Sequence, residues 1–427
     1  MPTRFRWVTI GLIVALIVIN YIDRSAISYA VTPFKTEFGI TDTQYGVVSS
    51  VFSIGYAVFA FLSGPLVDRF GPRKVLITAV GLFSLTTALV PLAGGFVGLL
   101  LIRIVLGAAE APAFPAATRT AGRWLPAAER GFALALIGGV AVSGSLLIAG
   151  PLLTQLIGAV GWRGMFWVIG GLGLLWIVVA IGLLRSAPED APQVNDAERA
   201  LILAGREAEV SHEAPTGTDW GAILRNRNLW ICAIGYFSWG FMFWGFMYWL
   251  PQFLSTSYGL SIKAVGAFSI APWAAGVVGA LVGGFLVDRV YRRTRSVRSR
   301  YTIMGVALLC SGASLIPVFL DPTLTVALIF ISCGVGFGFV TGGIWWVASI
   351  DAEPNQPGTA AGFADAAFAI SGVIAPVAMG AIVQSTGTFT SGFVTMSVLA
   401  LIGALLMLFA TKEPERTAAP RSATESV

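Results

Sequence analysis

Apolar runs long enough to cross a bilayer recur along the chain at about 7–30, 44–66, 75–95, 97–118, 131–157, 163–185, 229–257, 262–287, 302–320, 323–348, 358–384 and 389–411. A membrane-crossing helix needs about 20 mainly apolar residues, so the pattern predicts twelve of them. Pro and Gly within the runs fit this assignment, since neighbouring helices and Ser or Thr side chains can satisfy the backbone groups they free. The one long polar stretch, 186–222, begins with Pro188-Glu189-Asp190-Ala191-Pro192 and separates six runs from six. An all-α membrane protein of two six-helix bundles follows. Residues 1–185 form the N-terminal bundle, 186–222 a cytoplasmic linker, 223–412 the C-terminal bundle and 413–427 a disordered cytoplasmic tail. In the linker, Asp196, Glu198, Arg199, Arg206, Glu207 and Glu209 alternate in sign, the mark of a solvated amphipathic segment.

Composition supports a lipid environment. Of 427 residues 56% are hydrophobic and 11% charged, against about a quarter charged in soluble domains. The 27 basic residues outnumber the 22 acidic ones, yet they form no stripe suited to nucleic acid. They fall on one side of the predicted bilayer: Arg4 and Arg6, Arg69 to Lys74, Arg119 to Arg130, Arg185, the arginines from Arg199 to Arg227 and from Arg289 to Arg300, and Lys412 to Arg421. Only Lys35, Arg163 and Lys263 lie on the other. The positive-inside rule therefore puts both termini and the 186–222 loop in the cytoplasm. Arg4 and Arg6 ahead of an apolar run resemble a signal peptide, but Asp23-Arg24 interrupts that run, which reads as an uncleaved first helix. Cys232, Cys310 and Cys333 match no metal-ligand spacing, the lone His212 lies in the polar segment, and no nucleophile or phosphate-loop motif is convincing. An enzyme, an ATP-driven pump and any metal or cofactor are not expected.

An internal repeat agrees with the six-plus-six division. Gly64-Pro65-Leu66-Val67-Asp68-Arg69 ends the second run, followed by Arg73 and Lys74, and Gly284-Phe285-Leu286-Val287-Asp288-Arg289 ends the eighth. This G-x-x-x-D-R pattern in equivalent places resembles the cytoplasmic loop signature of the major facilitator superfamily, whose two bundles rock about a central site. The resemblance implies that Asp68, Arg69, Arg73, Asp288 and Arg289 form a gating loop that holds the bundles together on the cytoplasmic side.

Five ionisable residues remain inside the runs: Asp23, Arg24, Arg103, Glu110 and Asp365. Charges there cost several kcal/mol unless paired or hydrated, so each is a candidate functional residue. An arginine in an enclosed cavity suits an anionic substrate group, and a desolvated acid can carry a proton. Arg103 and Glu110 are two turns apart on one helix face, about 10 Å. Internal pairs Asp23–Arg24 and Arg103–Glu110 that only fix packing are the structural alternative. Asp365 has no cationic partner in its own half and reads equally as packing residue, proton site or substrate contact.

Asn20-Tyr21-Ile22-Asp23-Arg24, Arg103-x-x-x-Gly107-x-x-Glu110-Ala111-Pro112 and Trp124-x-Pro126-x-x-Glu129-Arg130-Gly131 together resemble the anion:cation symporter family, which includes bacterial galactonate, glucarate and hexuronate transporters. That resemblance implies that Arg24 and Tyr21 contact a substrate carboxylate with Tyr56 nearby. It makes Asp23 and Glu110 the proton-coupling acids, with Arg103 controlling or pairing with Glu110. Where sugar-acid carriers tend to have amide side chains, this chain has Tyr236, Asp365 and Ala369, and the tenth run has Trp345-Trp346. With Tyr236, Trp345 and Trp346 assigned to the cavity, the pattern favours a less hydroxylated acid. The expected function is proton-coupled import of an organic acid anion, a sugar acid or another carboxylate, by a monomer in lipid. Transport of aromatic or short monocarboxylates by the same mechanism and proton-driven efflux of drugs or metabolites are the alternatives.

Overall fold

A computed structural model describes residues 2–207, 219–294, 296–320, 322–353 and 356–412. Among the described residues ten helices are long and apolar enough to cross a membrane: Phe5–Tyr29, Pro72–Leu92, Phe96–Trp124, Glu129–Leu183, Arg227–Tyr258, Ile262–Val287, Val297–Leu320, Leu324–Ala352, Thr359–Thr386 and Thr390–Ala410. The bent pair Asp42–Ala60 and Leu62–Phe70 forms an eleventh span. At 55 residues, Glu129–Leu183 would rise about 80 Å as one straight helix, far beyond a bilayer. It breaks at Gly161, where φ is 72° and ψ 171°. A side chain would be strained in that backbone, whereas glycine adopts it freely. Divided there, the helices reproduce the twelve runs of the sequence, numbered below as spans in chain order.

The halves meet where the second span packs on the eleventh, the fifth on the eighth and the first on the seventh. The contact is closest at one end. A methyl group added at Gly46 would stand 2.5 Å from the Pro376 carbonyl oxygen, one at Gly380 2.5 Å from that of Asp42, and one at Gly150 2.9 Å from that of Gly266. Polar bonds join the halves at the same end. Asp42 accepts from Gln252 (2.6 Å), the Thr43 amide donates to Gln384 (3.0 Å), and the Tyr45 hydroxyl donates to the Tyr248 carbonyl (3.0 Å). At the end that carries the termini, the same four helices present Gly64, Gly131, Gly284 and Gly362, with nothing described within 4 Å of a methyl at any of them. Among the described residues the halves are thus sealed away from the termini and parted beside them.

The linker is less solvated than its charge pattern suggests. Its helix Asp196–Glu207 is capped by Asn195, whose Oδ1 accepts from the Glu198 amide (2.9 Å). Glu198 itself is fully buried. One of its carboxylate oxygens accepts from the Thr3 hydroxyl (2.6 Å) and the Phe5 amide (3.1 Å), and the other from the Arg6 amide (3.1 Å) and Nη1 (2.9 Å). The remaining Arg6 nitrogens, Nε and Nη2, donate to Glu129 at 2.8 and 2.9 Å. The first span has no side-chain cap of its own, so a linker residue caps it, satisfying amides a helix start leaves unpaired. His212 and the tail 413–427 lie outside the described residues.

Candidate functional site

Asp23 and Arg24 are neighbours in sequence and therefore point about 100° apart on their helix. Asp23 turns toward the third span, where the Thr87 hydroxyl donates to its Oδ2 at 2.5 Å, and its Oδ1 has no partner. Arg24 turns toward the fourth. Its Nε and Nη2 both donate to Glu110 Oε2, at 3.1 and 2.9 Å, and Nη2 also reaches Asn20 Oδ1 at 3.2 Å. This ion pair is sealed from solvent, with Arg24 2% and Glu110 0% exposed. Neither of the pairs Asp23–Arg24 and Arg103–Glu110 forms; the bond runs between the first and fourth spans instead. Arg103 donates from Nη2 to the Tyr248 hydroxyl of the seventh span (3.2 Å), which corrects the expectation that it pairs with Glu110.

Rings surround the Arg24 guanidinium: Tyr21 and Phe52 at 4.7 Å, Tyr56 at 5.0 Å and Trp244 at 5.7 Å from its carbon. Phe52 also lies 4.6 Å from the Arg103 guanidinium, so one ring stands between the two cations. The arrangement holds positive charge by face contacts to electron-rich rings and leaves Arg24 Nη1 out of the hydrogen bonds described. Phe52 and Tyr248 escaped the sequence reading, and Trp244, one of three tryptophans spaced by five in the seventh span, reads there as a packing or interface anchor. The one available signal was Phe52 four residues before Tyr56, on the same helix face.

In the C-terminal half an aromatic wall faces this centre. Tyr236 stacks on Trp345 (4.9 Å, 8° between planes) and on Phe368 (4.9 Å, 23°). Phe368 lies 5.3 Å from Trp239 and 5.4 Å from Trp244. Trp345 is wholly buried and supports Tyr236 from behind, so it does not face the cavity as expected. Trp346 is half-buried and donates from Nε1 to Asp365 Oδ1 at 2.9 Å. Asp365, one turn from Phe368, is exposed where the halves part.

The expected gating residues lie at that parted end. Asp68 pairs with Arg119 at 3.4 Å, Arg73 donates to the Ile181 carbonyl at 2.9 Å, and Arg69 and Arg289 lie over Phe70 and Phe285 of their own helices. Each of these described contacts stays within one half. The Asp288 side chain lies outside the described residues.

Apolar helices around a buried cluster of charges, with the halves packed closest at one end among the described residues, are the architecture of a membrane transporter. The chain belongs to the Major Facilitator Superfamily, whose pattern matches residues 13–376. It is 32% identical to a probable sulfoacetate transporter of Cupriavidus necator, over 95% of this chain and 93% of that one. It is also 31% identical to a hexuronate transporter of Bacillus subtilis, over 92% and 91%. A probable L-galactonate transporter of Escherichia coli is 27% identical over 93% and 87%. The fold matches a bacterial homologue of the human lysosomal transporter Spinster with a TM-score of 0.75 and 18% identity, covering 96% of this chain and 97% of the other.

Proposed function

We propose that the protein imports an organic acid anion together with a proton by alternating access, in a bacterial inner membrane with both termini cytoplasmic. The observation that carries this reading is the buried Arg24–Glu110 pair inside a ring of aromatic side chains. Protonation of Glu110 would discharge its bond to Arg24 and free a planar cation for a carboxylate or sulfonate, which an arginine fork can hold with two parallel bonds. Proton and anion would then enter as a unit, because an arginine relieved of its acid in so dry a place needs a counter-anion. Asp23 is the second acid that can take up a proton, with an unpaired carboxylate oxygen.

Glycines support the alternation. Gly46 and Gly64, Gly266 and Gly284, and Gly362 and Gly380 each lie 18 residues apart, the residue count of five helical turns. Gly131 and Gly150 are 19 apart, with the one-residue surplus taken up by the π-helix Leu136–Val140. Each interface helix therefore offers a small residue at both ends, one packed in this state and the other waiting. The substrate favoured by the walls is a short acid with few hydroxyls: amides occur in spans seven to twelve only near the ends, as Asn228, Gln252 and Gln384, while the middle carries Tyr236, Trp239, Trp346 and Phe368.

Proteoliposomes test the reading. Uptake of sulfoacetate or a short carboxylate accelerates with an inward proton gradient, and Arg24→Ala abolishes binding. Flux driven outward against the same gradient would instead identify a proton-driven exporter.

A further inference from the structure

We infer that the transported anion also carries a positive charge, and that Asp365 with Trp346 and Tyr236 forms the subsite for an ammonium group. The inference rests on the anion site proposed above and specifies the other end of the ligand. It begins with charge accounting. In the N-terminal half Arg24 and Arg103 balance Asp23 and Glu110, so one proton and one anion leave that half balanced again. Asp365 then remains as an acid with no described cationic partner, facing the same cavity. A purely anionic ligand would bring its charge beside another negative charge, whereas an ammonium group on the ligand would neutralise it.

The surroundings fit a cation. Asp365 Oδ1 accepts from Trp346 Nε1 at 2.9 Å, which fixes the carboxylate. Tyr236 lies beside the same carboxylate, and Phe368 stands one turn along the helix with its ring 4.9 Å from that of Tyr236. A carboxylate held in place beside apolar ring surface offers an alkylammonium group an ion pair for its charge and packing for its methylenes. A way in exists as well: Asp365 is exposed while Tyr236 behind it is 4% exposed. Trp346 can occupy this position because the fifth span places Gly138 opposite it, inside the π-helix, where an added methyl would lie 3.3 Å from the indole.

The two poles lie on one continuous surface. Arg24 lies 5.7 Å from the Trp244 ring, Trp244 lies 5.4 Å from Phe368, and Phe368 is one turn from Asp365. The rings along this path give the methylene groups of a ligand with an acid at one end and an amine at the other an apolar surface.

Matched ligands test the subsite. Binding of butanoate, 4-aminobutanoate and its trimethylammonium form is measured by calorimetry on purified full-length protein, alongside ethanesulfonate and 2-aminoethanesulfonate. In the wild type the ammonium-bearing member of each series binds at least about tenfold tighter than its neutral counterpart, a factor well within a desolvated cation contact. Asp365→Asn removes that preference, and Trp346→Phe, which keeps the ring and loses the donor, reduces it. Thermal unfolding without ligand checks that both variants are folded. Equal affinity of charged and neutral members in the wild type, or a preference that survives in Asp365→Asn, overturns the ammonium subsite and leaves the anion site standing. Binding of no member of either series overturns both.

Discussion

At the scale of single residues, burial decides what each charge can do. Arg24 and Glu110 are removed from water together, so losing one leaves the other uncompensated, at a cost of about 3–5 kcal/mol. Glu110→Gln is therefore expected to lower thermal stability by several degrees, and the double variant Arg24→Met with Glu110→Gln to recover much of the loss. A double-mutant cycle of melting temperatures checks this, and additive losses would show that the pair is not coupled. Arg24→Lys is not a conservative change here, because an ammonium offers neither the two-bond fork nor a flat face to Tyr21 and Phe52. It should lose substrate affinity about tenfold or more. The membrane charges themselves were readable from sequence, since nothing else explains arginine in an apolar run. Their partners were not: Asp23-Arg24 and Arg103–Glu110 look like pairs along one helix, while the observed bonds join side chains 86 and 145 residues apart.

Helix packing and capping decide the next level. A branched side chain at Gly46 or Gly380 would meet the backbone of the facing helix, so Gly46→Val should destabilise the sealed end and favour the opposite conformation. Gly362→Val has open space in this state and should instead hinder closure beside the termini. Spin-label distances across the two ends should move in opposite directions for the two variants. The linker gives a pH dependence. Burial raises the pKa of the Glu198 carboxyl, but hydrogen bonds from Thr3, Arg6 and two backbone amides outweigh it and hold it below the usual carboxylate range. A group with a depressed folded pKa contributes stability at and above its unfolded value and loses it as pH falls through the folded one. Docking of the linker should thus be intact at neutral pH and weaken in acid below the usual carboxylate range. Glu198→Gln should weaken it already at neutral pH, read as faster amide hydrogen exchange at residues 5 and 6.

For the whole molecule, the balance between two conformations is at stake. Asp42, Gln252, Thr43 and Gln384 tie the halves together where the cavity is closed. Each such bond is worth about 1 kcal/mol, so Gln252→Ala should shift the equilibrium toward opening on that side about fivefold. Labelling of a cysteine placed at Ser49 from that side of sealed vesicles would report it, and unchanged labelling would mean that the glycine contacts carry the seal alone.

The sequence by itself determined the number of spans, their division into two sets of six, and which residues bring charge into the membrane. Each of these follows from a local cost: about 20 apolar residues cross the hydrocarbon, and an ion inside it needs a reason. The partner chosen by each charge, the burial of Trp345 behind Tyr236, the capping of the first helix by Glu198 and the end at which the halves are closed belong to the tertiary structure. These depend on contacts between residues distant along the chain, where helix crossing and rotation set the distances, and neither is written in the hydrophobic pattern of a single span.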